Sequence, residues 1–163
     1  MIYKAGVITI STKGAKGERV DTSGPNLVNV LKNEGFDVVY ENIITDDIDI
    51  IKNELIKVCD DGINLILTTG GTGFSKTDVT PEATLAVIEK EVRGIPEMMR
   101  NLTYKITDKS ILSRGVAGIR NKTLIINLPG SKKASEENFN AIKGPIKHGI
   151  EILLTDGSND CAN

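Results

Sequence analysis

Apolar residues follow two alternating rhythms along this chain. Short β-branched runs of strand length alternate with stretches in which apolar positions recur every three or four residues. Residues 5–10, Ala-Gly-Val-Ile-Thr-Ile, read as a strand buried on both faces. A polar, glycine-bearing loop is predicted over residues 11–23. Residues 25–34 place Leu27, Val28, Val30 and Leu31 at helical spacing, and Gly35 supplies a stop. Residues 36–44 read as a second strand, ended by Thr45-Asp46-Asp47. Ile48, Ile51, Leu55, Ile56 and Cys59 form one face of a second helix that stops near Gly62. Residues 63–69 are a third strand, running into a glycine-rich loop.

Beyond that loop, residues 80–91 are predicted as a helix with Thr80 as N-cap and Pro81 at its first position. Leu85, Val87 and Ile88 are among its apolar positions. Residues 95–104 read as another helix, with Pro96 at its start and Met98, Met99 and Leu102 facing in. Residues 109–120 are read as irregular with a short strand, and 123–128 as a clear strand. Pro129-Gly130-Ser131 then leads into a helical last third, where Pro145 is expected to start a new segment. Residues 157–163 are polar and expected to fray.

Alternating strands and helices predict an α/β fold: a three-layer, doubly wound, mostly parallel sheet with helices on both faces. In such sheets, loops leaving the carboxyl ends of the strands share one rim, and ligands bind there. Four loops meet that condition: residues 11–23, 45–47, 70–80 and 129–133. They bring Asp21, Asp46 and Asp78 towards glycine-bearing backbone.

Composition narrows the function class. A chain of 163 residues is long enough for one domain with a substantial core, predicted over residues 1–156. A net charge of −2, with acids and bases interspersed, lacks the basic stripe of a nucleic-acid surface. No apolar run approaches a membrane span. The first residues enter a strand without signal-peptide architecture, which predicts a cytoplasmic protein. Cys59 and Cys161 form no C-x-x-C; Cys59 is expected as a core thiol.

The candidate chemistry lies in Thr68-Thr69-Gly70-Gly71-Thr72-Gly73 and the Asp78 that follows. Closely spaced glycines permit a tight turn and leave N–H groups uncovered, an arrangement suited to a phosphate. The plainer alternative is a simple turn with Asp78 helping to cap the next helix. Neither the Walker ending nor G-x-G-x-x-G fits, since Gly73 is followed by Phe74-Ser75-Lys76. A carboxylate beside phosphates calls for a metal ion or a transferred proton. Of the adjacent pair, Asp46 is favoured over Asp47, which better suits an N-cap for the following helix. His148 lies off the predicted rim.

The glycine loop with Asp78-Val79-Thr80-Pro81-Glu82-Ala83-Thr84, together with Ile111-Leu112-Ser113-Arg114 and Asn127-Leu128-Pro129-Gly130-Ser131, resembles the molybdopterin adenylyltransferases of molybdenum cofactor synthesis. This is the Mog and MoaB group. Asp21-Thr22-Ser23-Gly24 and Val116-Ala117-Gly118 are similar to the MoaB branch, Asp78-Val79-Thr80 to the Mog branch. The resemblance implies a molybdopterin-binding-domain-like fold, usually a homotrimer. It implies transfer of AMP from ATP, with Mg2+, to the phosphate of molybdopterin, giving adenylyl-molybdopterin and pyrophosphate. A downstream molybdate-insertion protein is the implied partner. The alternative within the family is a non-catalytic molybdopterin-binding or carrier protein of the MoaB type.

Position by position, the resemblance assigns Asp46 and Asp78 as catalytic and metal-binding. It assigns Gly70, Gly71, Thr72 and Gly73, with Gly130, Ser131 and Lys133, to the phosphate, nucleotide and pterin loops. Ser11, Thr12, Lys13, Ser113 and Arg114 are its candidate pterin or phosphate contacts. Thr12 stands where the family frequently has an acid.

Overall fold

The computed structural model describes residues 1–155. The expected tail at 157–163, and Cys161 within it, lie outside the described residues. Six strands form one sheet in the order β2-β1-β3-β6-β5-β4. They are β1 (Lys4–Ile10), β2 (Asp37–Ile44), β3 (Leu65–Thr69), β4 (Lys90–Glu91), β5 (Ala117–Arg120) and β6 (Thr123–Leu128). The first four in sheet order are mutually parallel, while β5 and β4 continue the sheet antiparallel. The helices are α1 (Thr12–Ala15), α2 (Ser23–Asn33), α3 (Ile48–Asp60), α4 (Thr80–Val87), α5 (Gly94–Tyr104) and α6 (Lys132–Leu154). A 3-10 turn spans Asp108–Leu112.

Alternation along the central strands divides the core in two. Ala5, Val7, Leu65, Leu67 and Ile126 face one side, against Leu27 and Leu31 of α2, Met99 of α5, and Phe139, Ile142, Ile146 and Ile150 of α6. Ile8, Ile10, Ile66 and Ile125 face the other side, against Ile51, Leu55, Val58 and Cys59 of α3 and Ala83 and Val87 of α4. Both faces being covered, the strands are continuously apolar, as a buried parallel sheet requires. Cys59 is the core thiol expected, and burial pushes its pKa up. Among the described residues no helix is long and apolar enough to cross a membrane.

Several expectations are corrected. The first rim loop is not wholly irregular, because Ser11 caps the short α1. The helix expected over 80–91 ends at Val87, and Lys90–Glu91 becomes the edge strand β4. Glu89 and Val92 donate to the carbonyls of Ile119 and Ala117, at 2.8 Å each. Those ladder bonds, with Ile88 lodged over Gly118, override the helical propensity of Glu-Lys-Glu. Thr80 is not the N-cap of α4; that position is Val79, without a side-chain cap.

Pro145 does not open a segment but sits inside one continuous α6. Pro145 and Gly144 are exposed, so the carbonyl freed at Ala141 lies toward solvent. Phe139, Ile142, Ile146 and Ile150 meanwhile stay in phase on the buried face and hold the helix through it. Of the three residues expected to face in from α5, only Met99 does; Met98 and Leu102 are 48% and 37% exposed. Leu85 of α4 is likewise half-exposed.

The fully buried Phe139 joins α6 to the sheet. Phe139→Ala is expected to lower unfolding free energy by about 3–5 kcal/mol, measured by equilibrium urea denaturation with an unchanged slope.

Candidate functional site

Registers Thr9↔Ile43, Thr9↔Thr69 and Thr69↔Leu128 bring the carboxyl ends of β1, β2, β3 and β6 to one rim. A cleft of about 330 Å³ lies there. Ser11, Asp46, Gly70, Gly71, Asp78, Gly130 and Ser131 line it, together with Arg19, Val20, Asp21, Ser23, Thr69 and Thr77. Both expected aspartates and parts of both expected glycine loops therefore open onto one volume.

The glycine loop lies flat on the strand ends. Gly70 has φ of 106°, and a Cβ there would stand 2.3 Å from the Ile10 carbonyl oxygen. Gly71 has φ of 66°, and its Cβ would stand 2.3 Å from Thr80 Oγ1. A side chain is excluded twice over at each, by conformation and by space. The Thr80 hydroxyl donates to the Gly70 carbonyl at 2.9 Å, and the Thr80 N–H to the Gly71 carbonyl at 3.2 Å. Among the described residues, the N–H groups of Gly71, Thr72 and Gly73 make no hydrogen bond, so they are free for an anion.

Asp46 is held by Thr12, whose N–H and hydroxyl both donate to its Oδ2 at 2.8 Å. Thr12 does not line the cleft; it aims the aspartate. Asp47 accepts from the N–H groups of Asp49 and Ile50, the capping role expected of it. Asp78 Oδ2 accepts from the Ser75 N–H at 3.1 Å. Each of Asp46 and Asp78 thus has one oxygen engaged and one, Oδ1, without a hydrogen-bond partner among the described residues. Asp21 is different: it accepts from Thr9 Oγ1 at 2.6 Å and from the N–H groups of Ser23 and Gly24 at the start of α2, whose N-cap position is Thr22.

Other candidates are placed as follows. Ser11 and Ser131 line the cleft while their hydroxyls cap α1 and α6. Lys13 is exposed and off the cleft lining; Lys133 is exposed and pairs with Glu137 at 3.8 Å. Thr72, Gly73 and Ser113 line a second, more apolar cavity of about 420 Å³ on the other side of the loop, beside Phe74, Leu112 and Pro129.

Arg114, a candidate phosphate contact, is committed to the protein. Its Nε donates to the Gly73 carbonyl and its Nη2 to the Asp78 carbonyl, both at 2.7 Å, while Nη1 pairs with the Glu82 carboxylate. The Arg114 N–H also donates to the Thr72 carbonyl at 2.9 Å. The arginine clamps the glycine loop from its far side. Its guanidinium hydrogen bond holds the Glu82 carboxyl below the usual range.

Beneath the cleft runs a set of buried contacts that sequence reasoning missed. Thr69 Oγ1 donates to the Pro129 carbonyl at 2.7 Å and meets Ser23 Oγ at 2.7 Å; Ser23 meets Ser135 Oγ at 3.0 Å. Asn127 Nδ2 donates to Thr68 and Thr84 at 3.0 and 2.9 Å, and its Oδ1 accepts from the Val116 N–H. The available signal was the polar Thr68-Thr69 and Asn127 at the ends of otherwise apolar strands.

Oxygen-only donors suit a hard divalent cation. Among the described residues no three acidic, histidine or cysteine side chains cluster to hold a metal unaided. Asp46 and Asp78 therefore fit a cation whose remaining ligands come with a phosphorylated substrate.

Fold and site define an α/β protein with two glycine-bearing loops and three aspartates on one rim of a mostly parallel sheet. The family model described as "Probable molybdopterin binding domain" matches residues 6–148, and the chain belongs to that family. It is 41% identical over 152 residues to a molybdopterin adenylyltransferase of Helicobacter pylori, covering 91% of this chain and 86% of that one. It is 36% identical to the molybdopterin adenylyltransferase of Escherichia coli K12, covering 90% and 79%. The crystal structure of the molybdopterin biosynthesis enzyme MoaB from Thermus thermophilus superposes with a TM-score of 0.90 at 39% identity, covering 94% of this chain and 98% of that one.

The clamp carries a pH dependence. The Glu82 carboxyl has a lower pKa folded than unfolded, so its contribution is full above the unfolded value and fades as pH falls through the folded one. Glu82→Gln is expected to lower the melting temperature near neutral pH, with the gap to the parent closing as pH falls below the ordinary glutamate pKa of about 4.3. Thermal unfolding across that range measures it; a pH-independent gap counts against the ion pair.

Proposed function

We propose that this chain is a molybdopterin adenylyltransferase of molybdenum cofactor biosynthesis. It transfers AMP from ATP to the phosphate of molybdopterin and releases pyrophosphate. The observation that carries this reading is the convergence of Asp46, Asp78 and Gly71, whose N–H is free, with Gly130 and Ser131 on one cleft. Relatives named for the same activity, matching across most of the chain, support it.

A terminal phosphate oxygen of molybdopterin attacks the α-phosphorus of ATP; the new P–O bond forms as the bond to the β-phosphate oxygen breaks, and pyrophosphate leaves with the electron pair. The nucleophile is already anionic, so the protein's task is positioning and charge stabilisation. The N–H groups of Gly71, Thr72 and Gly73 hold phosphate oxygens at the loop. Thr12 fixes Asp46, and the Ser75 N–H fixes Asp78, through Oδ2, leaving the Oδ1 of each without a partner among the described residues. Asp46 and Asp78 would hold Mg2+ together with the nucleotide, and the ion would supply charge neutralisation at the phosphates. The apolar cavity beside Ser113 offers a flat ring a place next to the phosphate loop.

The reading extends to a homotrimer acting in the cytoplasm. Met98, Leu102, Tyr104, Ile106, Ile111 and Leu112 are all exposed on α5 and the turn after it, an apolar set that a neighbouring subunit would cover. Light scattering at micromolar concentration is expected to give three times the chain mass; a stable monomer rejects the assembly.

Asp46→Asn and Asp78→Asn keep an oxygen for the Thr12 and Ser75 donors while removing the charge. With ATP, Mg2+ and molybdopterin, mass detection of the adenylylated pterin is expected to show a loss of roughly a hundredfold or more for either variant. Molybdopterin binding is expected to persist, being carried by loop N–H groups. A parent protein that binds molybdopterin yet forms no product would make it a carrier, and near-parental rates in both variants would reduce the aspartates to loop supports.

A further inference from the structure

Three aspartates line the cleft, and among its described lining residues Arg19 is the one cation. Its surroundings make that informative. The segment carrying it is pinned on both sides: the Glu18 N–H donates to the Lys13 carbonyl at 2.9 Å, and Asp21 is tied to Thr9, Ser23 and Gly24. Gly17, with φ of 72°, turns the chain just before it. Arg19 itself is exposed, with no carboxylate pairing it among the described residues. Arg114, by contrast, is consumed by the glycine loop, and Lys133 by Glu137. Val20, next to Arg19, also lines the cleft and is 82% exposed. An unpaired guanidinium and a bare apolar side chain at the lip of one cleft are both left for a ligand to cover.

We propose that Arg19 is the phosphate-gripping residue of this site, contacting the triphosphate tail of the nucleotide. This rests on the reading of the cleft as an adenylyl-transfer site. The tail is the most highly charged part of the substrates, and its two outer phosphates depart as pyrophosphate. An exposed cation meets the end that leaves, whereas Gly71, whose N–H is uncovered, is half-buried just past the end of β3. The guanidinium's planar fork donates to two phosphate oxygens at once, a geometry lysine lacks. Arg19 thereby offsets charge that grows on the departing pyrophosphate as the bond to the α-phosphorus breaks.

The test uses the full chain and a probe that needs no chemistry. Titration calorimetry measures inorganic tripolyphosphate with Mg2+ against the parent, Arg19→Gln, Arg19→Lys and Lys16→Gln. Lys16 is an exposed lysine of the same loop, off the cleft lining. Arg19→Gln is expected to weaken binding roughly tenfold to a hundredfold, the range for one charge-assisted contact. Arg19→Lys is expected to recover part of that loss, and Lys16→Gln to bind as the parent does. In turnover, Arg19→Gln is expected to raise KM for ATP and lower kcat while leaving KM for molybdopterin unchanged.

If the parent forms no adenylylated pterin but tripolyphosphate binding still depends on Arg19, the enzymatic reading falls and the anion contact stands. A parent that does not bind tripolyphosphate, an Arg19→Gln protein that binds it as tightly as the parent, or a Lys16→Gln protein equally impaired each overturns the assignment.

Discussion

The cleft exists because Gly70 lies against the Ile10 carbonyl, closer than any side chain allows. A Cβ at Gly70 would sit 2.3 Å from that oxygen, and one at Gly130 would sit 3.2 Å from the Gly70 Cα. Three strand ends thus meet backbone to backbone. Positive φ at Gly70 and Gly71 then turns the chain across the rim instead of away from it, a conformation costing an L-residue about 1–2 kcal/mol before any overlap is counted. Asp78 reaches the cleft shared with Asp46 only because the loop takes that course. A wider turn would preserve the sheet and lose the site.

A loop with so few side chains has little to hold it, and the surrounding polar groups supply the restraint. Thr80 fixes it from the following helix, its hydroxyl donating to the Gly70 carbonyl instead of serving as a cap. Arg114 fixes it from beyond, through the carbonyls of Thr72, Gly73 and Asp78. Below, the hydroxyls of Thr69, Ser23 and Ser135 tie the loop after β6 to α2 and α6. Asn127 ties β6 to β3 and α4. Buried polar groups carry a desolvation cost unless paired, so such a network holds the loop in one arrangement. These restraints engage the carbonyl oxygens of Gly70, Gly71, Thr72 and Gly73 and leave the N–H groups of Gly71, Thr72 and Gly73 without a partner among the described residues, which is the polarity a phosphate needs.

Much of this was legible in the amino-acid pattern because burial on both faces leaves a simple signature. The runs at β1, β3 and β6 read as strands, and their parallel order put the right loops on one rim. The capping role of Asp47 was also legible, since a residue just before an apolar-periodic stretch is a cap. What escaped depends on partners distant in sequence. Lys90–Glu91 is a strand only because β5 is there to pair with it. Pro145 is tolerated only because the buried face of α6 stays in phase on either side. Arg114 and an unattached cation look alike in sequence; only the carbonyls it finds across the fold distinguish them. Thr12 was expected against ligand and instead orients Asp46, filling with two donors the place where a carboxylate would have repelled it. The hydroxyl network was hidden for the same reason, each member being an ordinary threonine or serine by itself.

On the proposed reading, charge balance favours a metal-bound polyphosphate in this cleft over a bare one. Asp21 lies in the cleft, but its carboxylate is absorbed by Thr9 and two N–H groups of α2. That leaves Asp46 and Asp78, each with one unengaged oxygen, as the negative charges facing a ligand. Alone they repel phosphate; at close range in a partly dry site the repulsion is stronger than in water. Two carboxylates match the charge of one divalent cation, and with it bound the local field becomes neutral. The uncovered N–H of Gly71, which shares the cleft with the two carboxylates, would then act on a phosphate without opposition. The aspartates in this arrangement need no proton to transfer, because their charge selects the cation and their fixed geometry sets where the phosphates lie. On the proposed reading, the acidic residues and the glycine loop are complementary parts of one receptor, with the ion between the carboxylates and the polyphosphate.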